Sequence, residues 1–277
     1  MNFVEILKVI VLGIVEGFTE WLPISSTGHM ILVDEIIHLN QPSDFKNMFL
    51  VVIQLGAILA VVVLYFDKLN PFSRGKKPAQ KQAALVLWSK IVLACIPAAV
   101  IGFLVDDILE EYLMNGYVVA ATLIIYGVLF LVIENRNQYK SFEVKKTADI
   151  SYQTALSIGL FQLLSLIPGT SRSGATILGA MILGCSRAAS AEFSFFLGIP
   201  IMFGASFLKI IKYGLNFTGS QIFYLLLGMI IAFVVSVYVI RFLMEYIRHH
   251  DFKFFGYYRI VLGAMVFLYF IVTALVG

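Results

Sequence analysis

The sequence predicts an all-α polytopic membrane protein: six transmembrane helices plus two re-entrant broken-helix pairs, arranged as an inverted-topology repeat. Three observations carry this expectation. The chain is 60% apolar and only 13% charged, about half of the roughly 25% charge that coats an ordinary soluble domain. Its mean hydropathy is +0.91, and its apolar residues gather in runs near the ~20 residues that cross a hydrocarbon layer. Two further runs are cut short by proline, glycine and hydroxyl residues. The 277 residues would allow one or two soluble domains, but no stretch between the runs is long enough to build one, so a membrane-anchored soluble catalytic domain is excluded. The net charge of +3 is scattered among loops and offers no nucleic-acid surface. Cys95 and Cys185 both sit in apolar segments, which excludes a disulfide framework and a Cys-rich metal site.

The amino terminus carries Glu5 and Lys8 and lacks the basic start and small-residue cleavage site of a signal peptide. Its first apolar segment is therefore expected in the mature protein. The six expected spans cover about residues 48–66, 83–105, 117–133, 193–208, 222–240 and 260–277. Lys90 lies near one end of its span, where a long side chain snorkels to the interface. Short loops rich in Lys and Arg mark the cytoplasmic side. Lys68, Arg74, Lys76, Lys77 and Lys81 put one loop inside; Arg136, Lys140, Lys145 and Lys146 put a second there, and Arg241, Arg248 and Lys253 a third. Asp106, Asp107, Glu110 and Glu111 form an acidic loop expected outside, as is the uncharged stretch 213–221. This alternation closes only if residues 1–45 begin and end outside and residues 150–188 begin and end inside. Both segments are therefore expected to dip in and return.

Their composition agrees. The apolar run from Phe3 is stopped by Pro23, and the run from Ile150 by Pro168-Gly169; each break is followed by hydroxyl residues, glycine and a second short apolar run. Proline removes a backbone donor and glycine permits unusual dihedrals. Irregular backbone at membrane depth persists only where protein or a water-filled cavity satisfies it, so the two breaks are candidates for one shared site. Shifted by 146 residues, Gly13, Ser25, Gly28, Ile31 and Leu32 match Gly159, Ser171, Gly174, Ile177 and Leu178, while Glu16, Thr19 and Thr27 align with Gln162, Ser165 and Ser173. Each copy precedes three spans, and the charge pattern starts the copies on opposite sides, as in folds whose half-helices meet near the midplane. The expected organisation is one integral domain over 1–277, with repeats at about 1–134 and 150–277 and a basic cytoplasmic linker at about 135–149.

The repeats differ in chemistry. Glu16 and Glu20 stand four apart on one helix face, and acids within a membrane are costly and functional by default. Two acids on one face repel unless a metal or a proton lies between them. Ser25-Ser26-Thr27-Gly28-His29 follows, a hydroxyl run suited to capping a half-helix. Ser26 and His29 are three apart, near enough for the imidazole to take the hydroxyl proton, a pairing that activates a weak nucleophile. In the second copy, Pro168-Gly169-Thr170-Ser171-Arg172-Ser173-Gly174-Ala175-Thr176 sets an arginine, shaped to grip phosphate oxygens, at a helix start whose amides also favour an anion.

Glu16-x-x-x-Glu20, the Pro168 to Thr176 pattern and the Ser25 to His29 segment together resemble the bacterial undecaprenyl-diphosphatases of the bacitracin-resistance type. The likeness spans the whole chain, including Val51 to Gly56, with no departure at a motif position. It implies an enzyme of the bacterial plasma membrane that hydrolyses undecaprenyl diphosphate to the monophosphate and phosphate, recycling the peptidoglycan lipid carrier. It also implies a site open to the outer face, a divalent cation requirement met by Mg2+ or Ca2+, and a homodimer. By the same resemblance, functional roles fall on Glu16, Glu20, Ser26, His29, Ser171, Arg172 and Thr176.

On this reading Arg172, Ser171, Ser173, Thr176 and the break residues Ser25, Thr27, Gly28, Gly169 and Thr170 hold phosphate. Glu16 and Glu20 either bind the metal or orient His29. The nucleophile is Ser26 with His29 as base, His29 itself, or water. The rival reading is a secondary transporter or flippase for a polyprenyl phosphate, because inverted repeats with broken helices are the usual transporter plan. A lipid-binding scaffold without turnover leaves the intramembrane acids unexplained.

Overall fold

A computed structural model describes residues 2–113 and 115–276; for residues 27, 31, 34–36, 106–108, 110, 111 and 276 the backbone alone is described. Every regular element among these residues is helical apart from one isolated bridge between Val144 and Cys185. The first half comprises α1 (Phe3–Thr19), α2 (Ser26–Ile37), α3 (Ser43–Val52), α4 (Gln54–Leu64), α5 (Phe66–Leu69), α6 (Pro78–Leu113) and α7 (Gly116–Asn137). The second half comprises α8 (Tyr152–Gln162), a 3-10 turn at Leu163–Leu166, α9 (Arg172–Ile182), α10 (Arg187–Tyr213), α11 (Gly219–His249) and α12 (Lys253–Val276). Six stretches are long and apolar enough to span a bilayer: Ser43–Leu64, Pro78–Val105, Gly116–Asn137, Arg187–Tyr213, Gly219–His249 and Lys253–Leu275. The chain is a multi-pass membrane protein.

These helices outrun the apolar runs that announced them. α11 continues through Arg241 and Arg248 to His249, because a helix satisfies its own backbone in headgroups and water as well as in hydrocarbon, whereas hydropathy reads only the hydrocarbon length. The acidic stretch 106–111, expected as a loop, is helical backbone within α6. No glycine or proline interrupts it before Asn115, which caps α7 by accepting from Val118 N at 3.0 Å. The acidic side chains at 106, 107, 110 and 111 lie outside the described residues.

Both breaks are built alike. Ser25 (φ 73°) and Ser171 (φ 72°), 146 positions apart, occupy the left-handed region that costs a non-glycine residue about 1–3 kcal/mol. Each turns its hydroxyl onto the amide three residues on: Ser25 accepts from Gly28 N at 3.2 Å and Ser171 from Gly174 N at 3.1 Å. The same reversal of the chain, closed by the same cap, starts α2 and α9.

Packing between the halves is reciprocal. α1 lies on α11, and α8 lies correspondingly on α6; α4 packs on α11 as α10 packs on α6; α7 pairs with α12. Close approach depends on glycine at equivalent places. A Cβ on Gly13 would stand 2.9 Å from the Gly228 carbonyl of α11, and one on Gly159 would stand 2.1 Å from the Ala94 carbonyl of α6. Small residues let helices touch backbone to backbone where lipid supplies no hydrophobic drive. The α7 end is tied down by Glu134, whose carboxylate accepts from Arg187 Nε (2.8 Å) and Nη2 (2.5 Å) and from Phe252 N (2.8 Å), joining α7 to α10 and to the residue that precedes α12. This packing brings the two breaks together inside the bundle.

Candidate active site

Glu20 caps the end of α1, and Pro23 turns the chain so that Ser26, the first residue of α2, comes back beside it. Ser26 Oγ donates to Glu20 Oε2 at 2.6 Å, and Arg172 Nη2 donates to Glu20 Oε1 at 2.9 Å. Hydroxyl, carboxylate and guanidinium thus form one chain across the two breaks. The Ser26–His29 pairing expected from spacing is not the one formed. His29 Nδ1 bonds the Ser25 carbonyl at 2.7 Å and Nε2 lies 2.8 Å from Tyr258 Oη, with the two rings stacked at 5.6 Å. A carbonyl only accepts, so Nδ1 carries a proton, and in the neutral ring Nε2 holds the lone pair and accepts from Tyr258. On a helix the imidazole leans back toward the preceding turn, whereas the Ser26 hydroxyl meets α1.

Arg172 is held from three sides. Nη1 donates to the Ser194 carbonyl at 2.5 Å, the guanidinium lies over Trp21 at 5.8 Å, and Trp21 is fully buried against Phe195. On the fourth side is Gly198, where a Cβ would stand 2.8 Å from Nη2. Among the described residues, Ser194 and Glu20 engage two of the five N–H donors, and the other three can meet an anion. We expect Gly198→Ala to fold normally but displace the guanidinium and lower kcat/KM about 10-fold, since small misplacements of a positioned group are costly. Steady-state kinetics with a melting curve checks this.

Several residues expected to hold phosphate also make contacts within the protein. Ser173 Oγ lies 3.2 Å from the Glu20 carbonyl, 3.3 Å from the Leu22 carbonyl and 3.0 Å from Ser171 Oγ, so it ties the second break to the first. Thr176 Oγ1 donates to the Arg172 carbonyl at 2.8 Å and lies 2.7 Å from Ser194 Oγ, clamping α9 to α10. Gly169 has φ 83°, and a Cβ there would meet Thr122 Oγ1 at 2.3 Å, so glycine is required by backbone and by packing. Thr170 is buried beside Tyr126. Ser25 and Gly28 form the first cap described above. The Thr27 side chain lies outside the described residues.

Glu16 is buried on the same face as Glu20, and among the described residues its Oε1 has no hydrogen-bond partner. Among the described residues no three His, Cys, Asp or Glu side chains converge to hold a metal by themselves. The donor set is two carboxylates, one with an unused oxygen. That suits a hard cation that takes one or two carboxylates and completes its shell from phosphate oxygens.

Sequence reasoning missed Trp21, Ser194, Gly198, Tyr258 and Arg259. The only signal among them was Arg259, a cation just outside the last apolar run as drawn; the others read as ordinary span residues. Tyr258 covers His29, and Arg259 is fully buried and donates to carbonyls in both breaks.

Fold and site together define a multi-pass membrane protein with a partly buried acid–hydroxyl–guanidinium chain between two broken helices, suited to phosphate-ester or anhydride chemistry. The model of the bacitracin resistance protein BacA family matches residues 9–265, and the chain belongs to that family. It is 59% identical over 270 residues to an undecaprenyl-diphosphatase of Enterococcus faecalis, covering 97% of this chain and 98% of the relative. It is 60% identical over 274 residues to the undecaprenyl-diphosphatase of Lachnoclostridium phytofermentans, covering 99% of this chain and 100% of the relative. With that of Desulfitobacterium hafniense it shares 58% over 278 residues, the full length of both.

Proposed function

We propose that this protein hydrolyses undecaprenyl diphosphate to undecaprenyl phosphate and phosphate, and so returns the peptidoglycan lipid carrier to use. Full-length likeness to undecaprenyl-diphosphatases supports the substrate. The observation that carries the chemistry is the 2.6 Å bond from Ser26 to a carboxylate that is itself paired with Arg172.

In the proposed reaction Ser26 Oγ attacks the terminal phosphorus, its proton passes to Glu20, and the anhydride P–O bond breaks to release undecaprenyl phosphate. Water then cleaves the phosphoserine, with His29 Nε2 as the base once Tyr258 yields. The unused donors of Arg172 and the amides at the start of α9 meet the charge that develops on the phosphoryl oxygens, and such preorganised donors carry much of phosphoryl transfer. Glu16 and Glu20 would hold a divalent cation, Mg2+ or Ca2+. When bound, the ion neutralises charge on the two phosphates. The site faces the outer side of the plasma membrane, because the basic stretches 67–81, 136–146 and 241–253 belong inside. The two halves then insert with opposite polarity, α1–α2 and α8–α9 each dipping in and returning.

The test is phosphate release from undecaprenyl diphosphate by purified protein in detergent, with and without EDTA. Release that EDTA suppresses and Mg2+ or Ca2+ restores is the expected result. Folded protein that binds the lipid and releases no phosphate would move the assignment to a polyprenyl-phosphate transporter.

A further inference from the structure

Arg259 on α12 has no exposed surface. An arginine keeps its charge in a protein, and burying that charge is costly unless other groups replace its water. Among the described residues its hydrogen bonds all go to backbone carbonyls. Nη1 donates to Pro23 at 3.1 Å, Nη2 to Gly169 at 2.9 Å and Thr170 at 3.0 Å, and Nε reaches Leu123 at 3.5 Å. The guanidinium lies over the Tyr126 ring, 5.4 Å from its centroid. Pro23 and Gly169 are 146 residues apart, the displacement of the repeat, so the arms of one planar fork hold the equivalent carbonyl of each break. A trans peptide sets C=O and the following N–H on opposite sides. Turning the Thr170 carbonyl toward Arg259 therefore turns the Ser171 amide away from it.

We infer that Arg259 is a positioning residue: it clamps the two breaks at equivalent carbonyls and thereby sets the spacing between the Ser26–Glu20 pair and Arg172. A second, smaller clamp acts on the same break, since Thr122 Oγ1 of α7 donates to the Pro168 carbonyl at 2.8 Å. Arginine suits the task where lysine does not. Its fork is rigid and reaches two carbonyls at fixed separation, whereas an ammonium is a point charge on a flexible stem.

The inference rests on the phosphatase reading for its kinetic arm and is independent of it for its distance arm. In the kinetic arm, Arg259→Lys is expected to lower kcat about 30-fold with KM within about threefold of wild type. Thr122→Val, which removes a hydroxyl at nearly constant volume, is expected to lower kcat about threefold. Arg259→Met, opened to solvent-borne methylguanidinium, should regain part of its kcat. In the distance arm, spin labels at Phe18→Cys and Leu164→Cys, both on exposed positions flanking the breaks, report the separation of the breaks by pulsed electron resonance. A single narrow distance is expected in the parent and a broadened one with Arg259→Met, while Arg259→Lys, the milder variant, covers the case in which methionine fails to fold. Folded Arg259→Lys with wild-type kcat and an unbroadened distance overturns the inference. A distance that is narrow in the parent and broadened by Arg259→Met, in a parent that releases no phosphate, leaves the clamp standing and removes the phosphatase reading instead.

Discussion

Glu20→Gln is expected to lower kcat for prenyl diphosphate hydrolysis by about 10³-fold, within the range general bases contribute. One carboxylate serves two partners: Oε2 accepts the Ser26 proton and Oε1 pairs with Arg172. The amide has nearly the same shape, but only one of its two terminal atoms accepts, so it keeps at most one of the two bonds, and it can neither take a proton nor offset the guanidinium charge. The loss should therefore appear in kcat. Single-turnover assays on Glu20→Gln, Ser26→Ala and His29→Ala separate the routes. If Glu20→Gln formed and released product within threefold of wild type, the carboxylate would not be the base. A fully active Ser26→Ala would remove the serine route and leave His29 or water as the nucleophile.

Arg172→Lys is expected to be nearly as damaging, at about 10²-fold or more in kcat, the size of effect seen when one preorganised donor to a developing oxyanion is removed. The substitution keeps the charge and discards the fork. The present side chain bonds the Ser194 carbonyl and Glu20 simultaneously while resting on Trp21 and Gly198, with donors left for phosphate. An ammonium has three donors on a flexible stem and cannot reproduce that planar arrangement. Arg172→Ala should fall further still. Wild-type turnover by purified Arg172→Lys would show that charge alone is used at this position; wild-type turnover by Arg172→Ala would show that the phosphate lies elsewhere.

The site was legible in part, for reasons visible at particular residues. Pro23 and Pro168-Gly169 announce their breaks because backbone chemistry is local. Ser25 and Ser171 announce caps for the same reason, although their left-handed backbone was not foreseen. The partner of Ser26 was misjudged because spacing along one helix suggested His29, whereas the reversal at Pro23 places the end of α1 closer. Ser173 and Thr176 looked like phosphate ligands from their motif. In the structure they also join α9 to the first break and to α10, contacts that no spacing within the motif encodes.

By itself the sequence determined that this chain lives in a membrane, that its apolar runs form six spans, that two further segments are broken, and that an acidic break and a basic break answer each other. Each follows from hydropathy, charge or the chemistry of proline, glycine and hydroxyl residues over a few positions, where the physics is local. Only the tertiary structure decided that Glu20 receives the Ser26 hydroxyl, that Tyr258 covers His29, and that a buried Arg259 holds both breaks. Those choices depend on which helices lie side by side, and glycine contacts such as Gly13 on α11 and Gly159 on α6 set that packing between residues far apart in the chain.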